Sequence, residues 1–120
     1  MDLLTERIIG AAIEVHRELG CGLLERIYSD ALCVEFGLCG IKYEREVAVD
    51  VFFKGYLLHA QKIDLLVEKE VVVELKSMTH VPEVAIAQTL SYLRATGLKR
   101  ALLINFGERK LVSGIRRLSV

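Results

Sequence analysis

Two acidic residues and a lysine fall on neighbouring strand-like segments within the sequence KIDLLVEKEVVVELKS, residues 62–77. A hairpin with a short charged loop places Asp64 directly opposite Glu74. Opposed side chains of paired strands lie about 5 Å apart, a distance at which like charges destabilise the pair. The two carboxylates therefore need a compensating cation. Lys76 lies two residues beyond Glu74 on the same strand face and supplies one positive charge.

A divalent metal ion would neutralise this pair more completely than one lysine. Mg²⁺ is usually held by one or two carboxylates together with water and the phosphate oxygens of a substrate. The pattern thus predicts that Asp64 and Glu74 bind Mg²⁺ or Mn²⁺, with Lys76 left to orient or activate water. The alternative is an exposed hairpin face on which the same three residues form a salt bridge.

Three further polar residues accompany predicted helices. Glu25 lies three residues before Tyr28, on the apolar stripe of its helix, where a carboxylate is costly unless it is paired or coordinated. Alternatively, Glu25 is a helix-start residue favoured by the helix dipole. Gln88 and Tyr92 are four residues apart and share one helix face. As an isolated pair they would be ordinary surface or boundary residues.

The elements that position these residues follow from apolar periodicity and from glycine and proline signals. Three helices are predicted, over Thr5–Leu19 with Thr5 as N-cap, Leu23–Phe36 and Glu83–Thr96. Five strands are predicted, over Tyr43–Phe53, Tyr56–Val67, Val71–Lys76, Arg100–Phe106 and Leu111–Leu118. The resulting order, α-α-β-β-β-α-β-β, is that of an α/β or α+β protein whose sheet is covered by helices.

Alternation along the central hairpin sorts its residues into two faces. One predicted face is wholly apolar and must lie in the core: Ile63, Leu65, Val67, Val71, Val73 and Leu75. The other carries the charged residues Asp64, Glu74 and Lys76. The predicted polar face also contains Lys62, Leu66 and Val72.

Composition limits the classes of protein that this sequence can be. A chain of 120 residues has room for one domain, residues 1–120. Because 52% of the residues are hydrophobic and 27% charged, intrinsic disorder is excluded. The 16 basic and 16 acidic residues cancel, which argues against coating nucleic acid or membranes by bulk charge. No apolar run approaches the roughly 20 residues of a membrane span.

The cysteines indicate a reducing compartment. Cys21, Cys33 and Cys39 are odd in number and include no Cys-x-x-Cys pair. Together with an N-terminal sequence that lacks an apolar signal region, they predict reduced thiols in a cytoplasmic protein.

The run from Gly22 to Tyr28, GLLERIY, matches the motif that names the GxxExxY proteins, and the chain resembles that family. The flanking segments also fit: Ile8–Ala12, Val15–His16, Leu19–Gly20, Glu74–Lys76, Gln88, Tyr92–Leu93 and Asn105–Gly107. The family is grouped with the PD-(D/E)XK nuclease-like superfamily. The resemblance therefore implies a restriction-endonuclease-like core, α-β-β-β-α-β, with an extra N-terminal helix and a C-terminal strand.

The resemblance also implies roles for individual residues. Asp64 resembles the metal-binding aspartate of the superfamily, Glu74 its second carboxylate and Lys76 its lysine. Glu25 corresponds to the glutamate of the first core helix, which would contribute to the metal directly or through water. The segment from Gln88 to Tyr92 resembles the Gln-x-x-x-Tyr motif of RecB-type exonucleases, whose side chains border the site.

The activity that the resemblance implies is metal-dependent hydrolysis of phosphodiester bonds in DNA or RNA. Ile63 precedes Asp64 where the name of the superfamily would place a proline. The local basic pairs Lys99-Arg100, Arg109-Lys110 and Arg116-Arg117 could form a strip for nucleic acid, and a homodimer would widen it.

Two other functions remain open from sequence. A catalytically inactive module would keep the fold and the charge cluster but bind nucleic acid or a protein partner. A different metal-linked role would use His16, Cys21 and Glu25, although the apolar face that carries His16 favours a core or boundary histidine.

Overall fold

The structure, a computed structural model, describes residues 2–120, with residues 59 and 60 described for their backbone only. Its helices are α1 (Leu3–Leu19), α2 (Glu25–Cys39) and α3 (Glu83–Thr96). Its strands are β1 (Tyr43–Phe53), β2 (Tyr56–Val67), β3 (Val71–Lys76), β4 (Arg100–Asn105) and β5 (Ile115–Ser119). This order confirms the predicted fold class, including the additional first helix and last strand.

The strands form one five-stranded mixed sheet in the order β1-β2-β3-β4-β5. Neighbouring strands are antiparallel except β3 and β4, which are parallel and are connected through α3. Both central strands, β3 and β4, are almost entirely buried. A strand covered on both faces becomes continuously apolar, and this pattern makes Glu74, the acidic residue within β3, conspicuous.

Helices cover both faces of the sheet and define two apolar clusters. The larger cluster joins α1 and α2 to one face and contains Ile8, Tyr28, Leu65, Val73 and Leu102 among others. The smaller cluster joins α3 to the opposite face: Val49, Ile63, Val72, Tyr92, Leu93 and Ala101.

The prediction that Ile63 shares a face with Leu65 is wrong, because Ile63 packs in the α3 cluster. On the neighbouring strand β1, Glu46 lies between the residues that pair with Leu65 and Ile63 and has a left-handed φ of 54°. Regular pairing continues on either side, with Arg45 opposite Leu65 and Val47 opposite Ile63. The local irregularity at Glu46 and Asp64 thus lets both strands change faces without changing register.

Several element boundaries differ from the predicted ones. Asp2, not Thr5, is the N-cap of α1, because the Thr5 backbone N–H donates to Asp2 Oδ1 at 2.8 Å. Helix α2 continues through Gly37 and ends where Gly40 adopts a left-handed φ of 72°.

The last difference concerns β5, which begins at Ile115. Residues Leu111–Gly114 form a 3₁₀ turn instead of strand. A Cβ at Gly114 would overlap the backbone carbonyl of Asn105, so this close approach requires glycine. β4 accordingly ends at Asn105, one residue earlier than predicted.

Candidate active site

Asp64 and Glu74 lie where the backbone ladder between β2 and β3 ends. Its last regular pair is Leu65 with Val73, in the predicted register. Beyond that pair, the Asp64 backbone N–H donates to Glu74 Oε1 at 3.0 Å, and the Leu75 N–H donates to Asp64 Oδ2 at 2.9 Å. Each carboxylate therefore takes the place of a backbone carbonyl. This reciprocal bracing fixes the two acidic side chains beside one another.

Burial makes the negative charge of this pair costly. Glu74 is only 6% exposed, whereas Asp64 is half-buried. Burial, followed by the Asp64 charge, raises the pKa of Glu74 to about 8, and Lys76 opposes this shift. The hydrogen bond that Glu74 accepts from the Asp64 backbone N–H also opposes the rise, but burial outweighs both. Near neutral pH, the pair therefore retains a proton in the absence of a cation.

Lys76 and Glu25 lie around this pair. Lys76 is half-buried at the end of β3, and its charge lowers the pKa values of both Glu25 and Glu74. Glu25 begins α2 and is exposed, contrary to the prediction that it lies on the buried stripe. The net pKa shift of Glu25 is upward, because loss of water around its carboxylate outweighs the effect of Lys76. Asp64 adds to that rise, so Glu25 interacts electrostatically with both Lys76 and Asp64.

A hydrogen-bonded loop sets the start of α2 and hence the position of Glu25. The fully buried Tyr28 stacks on Phe106 with ring centroids 4.5 Å apart. Its hydroxyl donates to the Gly20 carbonyl at 2.5 Å and accepts from the Leu23 N–H at 3.2 Å. These bonds use Leu23 outside the helix, which explains why α2 begins two residues later than predicted.

Ser77 completes this connection and was missed in the sequence. Its hydroxyl donates to the Leu23 carbonyl at 2.6 Å. Because Ser77 directly follows Lys76, the bond ties the loop before Glu25 to the end of β3. In the sequence, the position of Ser77 next to Lys76 was the only indication of this role, because Ser77 belongs to no recognisable motif.

Tyr92 approaches the acidic pair from α3. It is 3% exposed, and its pKa is raised to about 12 by burial first and then by the charges of Glu74 and Asp64. Gln88 lies one helical turn earlier and is exposed. Among the described side chains, no hydrogen bond joins Gln88 to Asp64, Glu74 or Lys76. The structure thus places Tyr92 near the acidic pair, whereas Gln88 makes no hydrogen bond to it.

An open cleft adjoins Asp64 on the α2 side of the sheet. Its volume is about 640 Å³, and its lining residues are Glu25, Arg26, Ser29, Asp30, Arg45, Glu46, Asp64 and Leu75. Arg45 donates to Asp30 at 2.7 Å and to Ser29 at 3.0 Å. Arg26 takes part in none of the ion pairs within 4.0 Å among the described side chains. The cleft thus combines an acidic end with guanidinium groups.

The predicted three-carboxylate metal site is not assembled in the described part of the chain. There, no group of three His, Cys, Asp or Glu side chains is arranged to hold a metal ion. Asp64 and Glu74 are joined by reciprocal hydrogen bonds, while Glu25 interacts with Asp64 only electrostatically. The donor set is therefore two carboxylates, with space in the cleft for water.

The alternative site at His16, Cys21 and Glu25 is also not assembled among the described residues. His16 Nε2 instead makes a 2.7 Å hydrogen bond with the backbone carbonyl of Glu108. The histidine therefore joins α1 to the turn after β4, as the boundary interpretation predicts.

The expected basic strip is partly neutralised by acidic residues of the N-terminal segment and of the β2–β3 loop. Arg100 forms ion pairs with Asp2 and Glu70, and Arg117 forms one with Glu6. These contacts attach strands β4 and β5 to α1. They leave the remaining basic residues of the strip, Lys99, Arg109, Lys110 and Arg116, exposed.

Two carboxylates lie where the second and third strands of this mixed sheet separate, and a lysine follows on the third strand. This arrangement is typical of a nuclease-like domain. A family model described as the PD-(D/E)XK nuclease superfamily matches residues 2–118, and the chain belongs to this superfamily. No curated protein and no solved structure matches the chain. Across the described residues, no helix has both the length and the apolar character needed to cross a membrane.

Proposed function

We propose that this protein hydrolyses phosphodiester bonds of DNA or RNA with Mg²⁺ or Mn²⁺ bound beside Asp64 and Glu74. The observation that carries the proposal is the braced, largely buried carboxylate pair at the end of the β2–β3 ladder. A structural role alone would be filled more cheaply by uncharged groups, because burying two adjacent negative charges is costly.

The chemistry of the donor set fits a hard divalent cation. Both side chains offer carboxylate oxygens, which Mg²⁺ prefers. The backbone bonds engage Oδ2 of Asp64 and Oε1 of Glu74, so the second oxygen of each group is free of the backbone. A proton now compensates charge there, and a divalent cation would compensate more of it.

When bound, the metal would polarise the scissile phosphate and lower the pKa of an attacking water. Asp64 and Glu74 would hold the ion in place. The Lys76 ammonium would stabilise negative charge that develops on the phosphate oxygens. Glu25, whose pKa is raised, would hold a water by hydrogen bonding at the edge of the site.

The remaining residues would position these groups and the substrate. Tyr92 would support the acidic pair from α3, and Gln88 would contact the nucleic-acid backbone further out. In the cleft, Arg26 and Arg45 would bind phosphates that flank the cleaved bond, since guanidinium groups match phosphate geometry. The three cysteines are free thiols, which supports a cytoplasmic location.

Paired measurements of cleavage and metal-dependent stability test the proposal. We expect wild-type protein to cleave DNA or RNA with Mg²⁺ or Mn²⁺ and its melting temperature to rise on metal addition. Asp64→Asn and Lys76→Ala should each lower cleavage by on the order of 100-fold. Only Asp64→Asn should also reduce the metal-induced rise, because Lys76 is not a ligand.

Matched controls are available on β1 and β2. Asp50→Asn and Lys62→Ala change exposed charges that take no part in the hydrogen bonds bracing the acidic pair, and both should retain activity. A wild-type protein that neither cleaves nucleic acid nor gains stability with either metal would overturn the proposal.

A second candidate is a catalytically inactive module that binds nucleic acid or a protein partner through the same face. It is favoured by one observation: the described residues do not gather a third acidic ligand. That function predicts retention of nucleic acid or partner with no cleavage at any metal concentration. It also predicts that Lys76→Ala leaves this retention unchanged.

A further inference from the structure

The end of the β1–β2 hairpin projects from the sheet and exposes large apolar side chains. Between the turn and Leu65, the regular ladder of β2 is formed with β1 alone. Near the turn, Phe52 is 64% exposed, Phe53 60% and Tyr56 74%. Val51, Leu57 and Leu58 are also exposed. We refer to residues 50–58 as the hairpin tip.

Both faces of the hairpin tip are apolar. The register pairs Val51 with Leu58 and Phe53 with Tyr56 on one face, and Phe52 with Leu57 on the other. A two-stranded hairpin is at best marginally stable alone in water. When both faces of a strand are apolar, both faces are usually covered by other parts of a protein. The sequence of the tip is therefore suited to an environment that the single chain does not provide.

We propose that the hairpin tip is the interface through which two copies of this chain form a dimer. A twofold interface brings the same patch of each subunit together, so an apolar patch meets its own complement. The tip carries one acidic residue, Asp50, and one basic residue, Lys54, both exposed. Two such tips meet without net repulsion, and a twofold arrangement can set the opposite charges against each other.

The exposed area is sufficient for a small specific interface. Taking roughly 200 Å² for a fully exposed aromatic side chain, Phe52, Phe53 and Tyr56 offer on the order of 400 Å² per chain. Because Phe52 lies on the opposite face from Phe53 and Tyr56, the two tips must cover both faces of each other. Such a dimer buries about 800 Å² of aromatic surface, and the aliphatic residues bring the total toward the ~1,200 Å² of small specific interfaces.

Charge argues for a second copy and against nucleic acid as the occupant. Nucleic-acid arms depend on several basic residues because each neutralises a phosphate. The hairpin tip has Lys54 as its basic residue, and that charge is offset by Asp50. The proposal does not depend on the proposed nuclease function, since none of the candidate catalytic residues lies in the tip.

Sedimentation velocity across about 1 to 100 µM protein tests the interface. We expect wild-type protein to sediment at twice the 13.5 kDa mass of the chain at the upper concentrations. The double variant Phe52→Ser/Tyr56→Ser should weaken self-association by at least about 10-fold. Because both side chains are exposed, circular dichroism should show an unchanged fold.

Leu38→Ser is the matched control, because Leu38 is similarly exposed but lies at the end of α2. It should leave the dimer unchanged. A monomeric wild type over the whole concentration range would overturn the proposal, as would a double variant that folds and still dimerises fully. Binding of a single-stranded oligonucleotide to a monomeric wild type, lost in the double variant, would instead assign the tip to nucleic acid.

Discussion

The hairpin of β2 and β3 contains two directly adjacent regions of opposite character. At Leu65 and Val73 the backbone ladder is regular and both side chains are fully buried in the α1–α2 cluster. At Asp64 and Glu74, side-chain carboxylates replace the ladder bonds and place negative charges together. The first region stabilises the fold, whereas the second costs stability. Their adjacency indicates that the rigid apolar pairs hold the unfavourable charges in place.

Truncation in the apolar region should have the largest effect. Leu65→Ala should lower the free energy of unfolding by about 3 kcal/mol, because it leaves a cavity in the main cluster. Urea unfolding measures this loss. Leu66→Ala, at a half-buried position on the same strand, should cost clearly less. Equal losses at both positions would contradict the deeper packing of Leu65 in the main cluster.

A change in the acidic region should have the opposite sign. The pKa of Glu74 is ordinary, near 4.5, in the unfolded chain and raised to about 8 in the fold. Between these values the folded state binds more protons than the unfolded state, so stability falls as pH rises. Below about pH 4.5 the stabilising effect of the protonated group is complete.

Glu74→Gln imitates the protonated side chain and should remove this dependence on pH. Without metal at pH 8, the variant should be more stable than wild type by on the order of 2 kcal/mol. Urea unfolding in a chelator from pH 5 to pH 8 tests both curves. Wild-type stability that does not decrease over this range would contradict the raised pKa of Glu74 in the folded protein.

Substitution in the cleft should produce the smallest effect. Arg26→Ala should raise KM about fivefold, equivalent to about 1 kcal/mol, with kcat nearly unchanged, because the residue would bind flanking phosphate and not the reacting group. Arg94→Ala changes an exposed arginine on α3 and should leave KM unaltered. An effect on kcat alone would place Arg26 closer to the chemistry than proposed.

Local signals were sufficient to predict most of the elements. The bounds of β1, β2, β3 and α3 agree with the structure because Lys54-Gly55, Pro82 and Gly97 mark their ends. The pairing that sets Asp64 against Glu74 followed from the short loop between β2 and β3. Because the turn constrains the register, the sequence was sufficient to predict that Asp64 and Glu74 lie together.

Features that depend on long-range contacts could not be predicted in this way. The face of the sheet on which Ile63 lies depends on the backbone at Glu46, a residue with no intrinsic preference for left-handed φ. The start of α2 depends on hydrogen bonds from Tyr28 and Ser77, which lie in different elements. The burial of Glu74 results from packing on both sides of the sheet, whereas strand alternation alone suggested an open polar face.

The reciprocal bonds of Asp64 and Glu74 have a consequence for judging other sequences with this fold. Each side chain secures the backbone of the opposite strand, so a protein that had lost its chemistry would still need a side-chain hydrogen-bond acceptor at both positions. Lys76 has no such duty, since it takes part in no ion pair within 4.0 Å among the described side chains. The lysine is therefore the more discriminating marker of a working enzyme than the two acids beside it.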